Sequence, residues 1–176
     1  DSNELAFVFV IDFPMFEWRE AEKRWDAVHH PFTKIRNTKY EIRKENAEKM
    51  VADQYDFVLN GYEIGGGSIR EHDPKVLEAV FEIMGHPKEA VREKFGHLLD
   101  AFEFGAPPHG GIAPGIARLI MILLGEPNIR EVIAFPKTGD ARDLMMDAPA
   151  ELDEKQLREL HLRIEREKRI EEEKQA

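Results

Sequence analysis

The sequence predicts one domain that combines β-strands with α-helices, and three observations lead to this prediction. Residues 5–11, LAFVFVI, form an apolar run that is typical of a strand. Residues 55–69, YDFVLNGYEIGGGSI, read as two strands that Asn60-Gly61 separates as a tight turn. Two amphipathic segments, residues 74–84 and 88–105, have helical spacing. We therefore expect a sheet flanked by helices.

Composition limits the classes of function. The chain has 176 residues, of which 42% are hydrophobic and 34% charged, enough for one domain with a substantial core. A net charge of −10 argues against a broad basic surface for nucleic acid. The absence of cysteine excludes disulfides and thiolate metal sites, and the reducing cytosol is the expected compartment. The apolar run at 5–11 is too short to span a membrane.

The first strand is expected to lie in the centre of the sheet. Its run of apolar residues is nearly continuous, a pattern typical of a strand covered on both faces, and Pro14 ends it. Residues 44–54, KENAEKMVADQ, predict a short helix. In the hairpin that follows, three glycines at 65–67 lie on a strand, between Glu63 and Arg70.

Helix signals are clear after this hairpin. Asp73 is an expected N-cap, Pro74 suits the first turn, and Gly85 ends the helix over 74–84. The helix over 88–105 is expected to pack through an apolar stripe, and both helices are interpreted as core elements. The stripe comprises Val91, Phe95, Leu98, Leu99 and Phe102.

The remaining elements follow a stretch rich in glycine and proline. Residues 105–125 predict a short strand and then a buried apolar helix that begins near Pro114-Gly115. Val132 to Phe135 predicts another strand. Residues 153–176 predict a helix whose apolar positions become sparse after Ile164, so that the last dozen residues form a solvated, charged face.

Two acids on the predicted hairpin form a candidate cation site. Asp56 and Glu63 can lie close together on paired strands, and two such carboxylates could bind Mg²⁺ together with phosphate oxygens and water. The alternative is a pair of exposed hairpin acids. Glu63 and Arg70 lie seven residues apart and point to opposite faces of a regular strand, unless a bulge near the glycines re-aims one of them.

Arg118 is the only charge in the predicted apolar helix. If it is buried, it needs an anionic partner, because an unpaired buried charge costs several kcal/mol. The partner is either a phosphate bound near the helix N-terminus, where Gly115 allows close approach, or an Asp or Glu in an ion pair.

The adjacent histidines His29 and His30 point in opposite directions, so a shared zinc site is not expected. One of the two could donate a hydrogen bond to a carboxylate substrate. The alternative is a partly buried structural residue.

The ordered segments resemble a known family. WDAVHHPFT, YDFVLNGYEIGGGSIR, EKFGHLLDAFEFGAPPHGGIAPGIARLIMILLG, NIREVIAFPK and DLMMDAPAELDEKQLRELHLRI closely resemble the C-terminal part of the catalytic domain of bacterial-type aspartyl-tRNA synthetases, which are class II enzymes. GIAPGIAR is similar to their motif 3. The resemblance implies an α+β fold, an antiparallel sheet flanked by helices. Residues 1–150 would form a partial catalytic domain, and 151–176 a charged C-terminal helix.

The resemblance also implies an activity. Such enzymes activate L-aspartate with ATP to aspartyl-adenylate and transfer the aspartyl group to tRNA(Asp). The parent enzyme would be a cytoplasmic homodimer with Mg²⁺ as a cofactor and no membrane partner.

The same resemblance implies roles for individual residues. Arg70 would bind the side-chain carboxylate of L-aspartate, and His29 would approach the same substrate. Glu63 would lie at the ATP and metal site with Asp56 as the second metal ligand. Gly115, Ile116, Ala117 and Arg118 would contact ATP, Arg118 at the γ-phosphate, and Arg118 and Glu63 would be the catalytic residues.

Departures from the family pattern qualify this expectation. Ala117 stands where the family usually has an acid, which can orient the arginine that follows. The chain shows no match to motif 1, to motif 2 or to the anticodon-binding domain, so we expect a fragment that is inactive on its own. The alternatives are a non-catalytic paralogue or engineered scaffold that serves as a nucleotide-binding or interaction module, and an asparagine synthetase-like relative, which Arg70 disfavours.

Overall fold

The structure is a computed structural model that describes residues 4–36 and 39–165. It divides into two compact units, residues 1–132 and residues 133–176. The domain boundary expected after residue 150 stays a prediction. Among the described residues, no helix is long and apolar enough to cross a membrane.

The first unit is built on an antiparallel sheet, which confirms the α+β prediction. Four of its strands form one sheet, in the spatial order first, fourth, fifth and sixth, and the second and third strands form a separate hairpin that the sequence did not suggest. The strands are β1 Phe7–Val10, β2 Phe16–Arg19, β3 Arg24–Ala27, β4 Gln54–Leu59, β5 Tyr62–Ile69 and β6 Gly110–Pro114.

The turn between β4 and β5 lies at Asn60-Gly61, as predicted. Both residues have positive φ, 49° and 85°, the conformation that two-residue hairpin turns require. The side chain of Asn60 also accepts a hydrogen bond of 2.8 Å from the backbone N–H of Ala6. The turn residue therefore ties β1 to the hairpin.

The prediction that the first strand is central and buried is wrong. Strand β1 lies at the edge of the sheet and its side chains are exposed, Phe9 to 59%. Phe9 stacks on Phe57 with ring centroids 4.7 Å apart, and Phe57 stacks on Phe7 at 5.4 Å. We call this surface, formed by Phe7, Phe9, Tyr55, Phe57 and Ile112, the aromatic face. An apolar run favours burial of both faces of a strand. Whether the strand is buried depends on which other residues pack against it, and the run itself does not specify them.

The two predicted amphipathic helices are confirmed as core elements. Helix α1, Pro74–Ile83, has Asp73 as its N-cap, which accepts a hydrogen bond of 2.9 Å from the N–H of Lys75. Helix α2 covers Lys88–Glu103 and packs against α1. Their shared core contains Leu77, Phe81, Val91 and Leu99, with Phe32, Phe95, Leu98 and Phe102 packed around it.

Residues 44–54 contain a short 3₁₀ helix, Lys44–Lys49, in place of the short helix expected there. Ala47 and Met50 anchor this segment in a second core. That core also includes Met15, Phe16, Ile35, Ala52, Val80, Ile83 and Met84.

Helix α3, Ile116–Leu124, begins after Gly115 as predicted, but it is not the buried helix expected from its composition. Only Met121 is buried, and Leu124 is 65% exposed. The strand predicted at Val132 to Phe135 is also wrong: Ile129–Val132 is a 3₁₀ helix, and residues 133–135 lie outside any strand. A β-branched segment needs a pairing partner, and composition does not supply one.

The second unit contains helix α4, Glu154–Glu159, in which Leu157 is buried. The long helix predicted from residue 153 is wrong in its described part, because the chain turns after Glu159 and His161 has a φ of 54°. Sparse apolar residues give such a helix little packing to extend it. The rest of that prediction, the solvated face at 166–176, lies outside the described residues.

Candidate functional site

A bulge in β5 determines which side chains share the site. Val58 pairs with Glu63, whereas Phe57 pairs with Gly65, so Ile64 is an extra residue without a partner on β4. Because paired residues lie on the same face, the bulge re-aims Glu63 onto the face of Gly66 and, by strand alternation, of Arg70. Glu63 and Arg70 lie seven residues apart, so they could share a face only through a bulge of this kind. We call this surface the polar face.

Asp56 and Glu63 converge over Gly66. A Cβ at Gly66 would lie 3.0 Å from Oε1 of Glu63 and 3.2 Å from Oδ1 of Asp56. Glycine therefore leaves open the space into which both carboxylates point. The expected proximity of the two acids is confirmed, and their role as metal ligands stays a prediction.

The carboxylate pair fits Mg²⁺ better than a metal held by protein alone. Within residues 4–36 and 39–165, no group of three or more His, Asp or Glu side chains could hold a metal ion. Mg²⁺ commonly uses one or two carboxylates and completes its shell with water and phosphate oxygens. Asp56 and Glu63 could supply the carboxylates of that donor set, and an arginine nearby can bind the phosphate that completes it.

Arg118 lies in the first turn of α3 and contacts Glu63. Its Nη1 donates to the backbone carbonyl of Glu63 at 2.8 Å and lies 3.5 Å from Oε2 of that residue. The expected burial of Arg118 is wrong: its side chain is 47% exposed and that of Glu63 49%. Glu63 is therefore an acidic partner of the kind considered for Arg118, and the phosphate contact of Arg118 stays a prediction.

The N-terminus of α3 is fixed to the bulge. The N–H of Gly115 donates to the carbonyl of Ile64 at 2.7 Å. Ile116 and Ala117 follow in the first turn, where amide groups have no acceptor within the helix and favour an anion. Residues 115–118 are therefore positioned by the same irregularity that orients Glu63.

The segment after the two histidines lies beside the end of β5. Thr33 forms an isolated antiparallel bridge with Arg70, and the N–H of Arg70 donates to the carbonyl of His109 at 2.9 Å. Nη1 of Arg70 contacts the imidazole of His30, whose Nδ1 is 3.3 Å from the hydroxyl of Thr33. Reasoning from sequence missed His30, because the alternation of adjacent side chains does not say which histidine faces Arg70.

His29 occupies a different environment. Its side chain is exposed, and its ring packs edge-on against Phe13 with centroids 5.1 Å apart. The structure therefore places His30, rather than His29, in contact with Arg70. The aspartate-binding role of His29 stays a prediction.

The pKa of His30 is lowered from its ordinary value. Burial disfavours the charged imidazolium most, and the positive charge of Arg70 and the neighbouring His29 add to the effect. The electrostatics at this end of the site therefore favour a neutral imidazole.

A family model described as tRNA synthetases class II (D, K and N) matches residues 1–139. The chain belongs to this family. Among class II relatives, an aspartate–tRNA(Asp/Asn) ligase of Dehalococcoides mccartyi is 54% identical over 168 residues, which is 96% of this chain and 28% of the relative. An aspartate–tRNA ligase of Macrococcus caseolyticus is 51% identical over 93% of this chain and 28% of its own length. The chain thus spans about 28% of the length of these relatives.

Solved class II structures share the fold. An aspartyl-tRNA synthetase from Entamoeba histolytica matches with a TM-score of 0.54 and 26% identity, covering 76% of this chain and 23% of that one. An asparaginyl-tRNA synthetase from Pyrococcus horikoshii matches with a TM-score of 0.52 and 25% identity, covering 76% and 26%.

Proposed function

We propose that this chain forms the motif 3 half of an aspartate–tRNA ligase site, which activates L-aspartate with ATP and transfers the aspartyl group to tRNA(Asp). The observation that carries the proposal is the polar face, where the carboxylate pair and Arg118 lie at one end and Arg70 at the other. The ligase relatives support the choice of substrates.

At the aspartate end, Arg70 binds the side-chain carboxylate. A guanidinium offers two parallel N–H donors that match a carboxylate, whereas the amide of asparagine presents only one acceptor oxygen. A mismatch of this kind is strongly discriminating because it leaves buried polar groups unpaired. His29 is the second proposed contact for L-aspartate.

At the nucleotide end, the reaction needs positioning and charge neutralisation. Attack by the aspartate α-carboxylate on the α-phosphorus of ATP displaces pyrophosphate in line, a step that oriented cations promote without a strong protein base. Arg118 binds the γ-phosphate, with Glu63 and residues 115–117 beside the nucleotide. Asp56 and Glu63 would hold Mg²⁺, which neutralises charge on the phosphate oxygens.

The contacts of Arg118 also bear on the alanine that precedes it. In this chain Glu63 binds the guanidinium through both its backbone carbonyl and its carboxylate. We therefore propose that Glu63 supplies the orientation that an acid at position 117 would supply. Ala117 is then compatible with a functional arginine.

The proposal extends to the whole protein. The parent ligase acts as a homodimer in the cytoplasm, and residues 1–150 are the partial catalytic domain ahead of the C-terminal segment 151–176. We expect the isolated chain to be inactive alone, since it spans about 28% of its ligase relatives.

A chimaera tests this proposal. The chain replaces the matching 168-residue segment of the Dehalococcoides mccartyi ligase, and aspartate-dependent exchange of pyrophosphate into ATP is measured. The chimaera is expected to be active, and Arg118→Ala to weaken ATP binding by about 1 to 3 kcal/mol, the range for charge-assisted hydrogen bonds.

Arg19→Ala is the matched control, because Arg19 is also an exposed arginine in an ion pair, with Glu17 on β2. It should leave exchange unchanged. A folded chimaera without exchange would favour the alternative of a non-catalytic binding module, and equal ATP affinity in Arg118→Ala would remove Arg118 from the site.

A further inference from the structure

We propose that His30 is a positioning residue for Arg70: as a neutral imidazole it accepts a hydrogen bond from the guanidinium and holds it in the orientation that receives the substrate carboxylate. This inference rests on the proposed function for the identity of the ligand. The contact between the two side chains stands independently of it.

The protonation state of His30 follows from its neighbours. Arginine has only donors, so the imidazole nitrogen that it contacts most closely, Nε2, must be the acceptor. The proton of a neutral ring then lies on Nδ1, which is 3.3 Å from the hydroxyl of Thr33. Nη1 of Arg70 also lies 3.3 Å from Nδ1, so we assign the acceptor to Nε2 from the shorter of the two contacts, which leaves the proton on Nδ1 beside the hydroxyl of Thr33.

The backbone fixes this chain of contacts. Thr33 is 1% exposed and bridges Arg70, and two backbone hydrogen bonds of 2.9 Å flank the bridge. One runs from Lys34 N–H to the carbonyl of Ile69, and the other from Glu71 N–H to the carbonyl of Phe32. The loop that carries His30 is thus attached to the strand that carries Arg70.

A neutral partner suits a residue that must bind a carboxylate. Within residues 4–36 and 39–165, no Asp or Glu forms a salt bridge with Arg70, in contrast to Arg118, which pairs with Glu63. An acid beside Arg70 would compete with the substrate for the guanidinium. An imidazole restricts the same group through one hydrogen bond and leaves its positive charge for the ligand.

The first part of the test needs no substrate. Nitrogen-15 NMR of the full chain at pH 7.5 should show His30 as the neutral tautomer with a proton on Nδ1. Arg70→Ala should shift the Nε2 resonance of His30 and leave His97, an exposed histidine on α2, unchanged. A proton on Nε2, or a charged ring, would overturn the inference.

The second part measures positioning in the chimaera. His30→Ala should raise the KM for L-aspartate about tenfold, the effect of losing one charge-assisted hydrogen bond, with kcat little changed. His30→Gln should restore most of the affinity, because its side-chain oxygen can replace Nε2 as acceptor. Thr33→Val should give an intermediate KM, and His97→Ala the unaltered value.

The outcomes separate the two claims. If the chimaera shows no aspartate-dependent exchange, the proposed function fails while the NMR experiment still decides the contact. If the chimaera is active and His30→Ala leaves KM for L-aspartate unchanged, the positioning role is wrong. Because His30→Gln keeps an acceptor, it also distinguishes lost positioning from a folding defect in the alanine variant.

Discussion

Gly66 and Gly67 are neighbours on β5, yet a methyl group would meet different surroundings at each position. At Gly66 the nearest atoms are carboxylate oxygens at the ends of flexible side chains, 3.0 and 3.2 Å away. At Gly67 they are the backbone carbonyl of Gly111 at 2.1 Å and the hydroxyl of Tyr55 at 2.8 Å. Gly66 therefore leaves space for the two carboxylates, and Gly67 permits the pairing of β5 with β6.

Gly67→Ala is expected to lower the free energy of unfolding by about 1 to 3 kcal/mol, the usual cost of overpacking, because the backbone at Gly111 has to move. Urea denaturation measures this change. Gly66→Ala is the matched variant: it should cost less stability while displacing the Asp56 and Glu63 carboxylates and weakening Mg²⁺-dependent ATP binding. Equal destabilisation by both variants would contradict the distinction.

The lowered pKa of His30 makes a prediction about pH. A neutral imidazole is favoured in the folded chain, whereas an unfolded histidine has a pKa of about 6.5. The contribution to stability is therefore fully present above pH 6.5 and is lost as the pH falls from there through the lowered folded value. The groups that act on His30 are Arg70 and His29.

Urea midpoints at pH 7.5 and pH 5 should differ less in His30→Gln than in the unmodified chain. Other titrating groups contribute equally to both proteins and cancel in the comparison. A parallel pH profile in the two proteins would show that His30 does not carry this linkage.

At the scale of elements, capping and turn signals were the most informative parts of the sequence. Asp73 caps α1 through the nearby Lys75, Asn60-Gly61 forms the turn through its own backbone conformation, and the carbonyl of Gly115 accepts from Leu119 in the first turn of α3. Local sequence was therefore sufficient to locate α1, the hairpin and α3, although Gly115 and Asn60 also bond to distant residues. The hairpin in turn was sufficient to predict that Asp56 and Glu63 lie together.

Asp73→Ala should therefore destabilise the chain by about 1 kcal/mol, because the N–H of Lys75 loses its acceptor at the start of α1. Thermal unfolding measures the loss, and Asp73→Asn, which keeps a capping oxygen, should recover most of it. Asp153 precedes α4 without a side-chain capping bond, so Asp153→Ala is a suitable control.

Elements and contacts that depend on distant residues were predicted poorly. The burial of β1 and α3 depends on what packs against them, and the strand expected at 132–135 needed a partner. The choice of His30 over His29 beside Arg70 depends on where the loop meets β5. The glycines indicate that a bulge can form in this strand, but no sequence signal distinguishes Ile64 from its neighbours as the extra residue.

At the scale of the whole molecule, the aromatic face is an exposed apolar surface. Its residues share one face of the sheet and include Phe7 and Phe9 on the edge strand β1, and exposed apolar edges and patches are prone to associate with other chains. The isolated chain is therefore expected to associate as its concentration rises.

Phe9→Lys should reduce this association, which sedimentation velocity at increasing concentration measures. Phe104→Lys is the control, since Phe104 is 93% exposed but lies outside the aromatic face. If both variants associate like the unmodified chain, the aromatic face is not responsible.

The extra residue at Ile64 has a consequence for how this segment can vary. An exchange of Ile64 for another apolar side chain keeps the count of residues between Glu63 and Arg70. An in-frame loss of the Ile64 codon would remove the bulge and the carbonyl that accepts from the N–H of Gly115, while the remaining six-residue spacing would keep Glu63 and Arg70 on one face of a regular strand. A codon inserted beside Ile64 would instead add one step of alternation and send Glu63 and Arg70 to opposite faces of the sheet. We expect the length of this segment to tolerate far less change than the identity of the residue that creates the bulge.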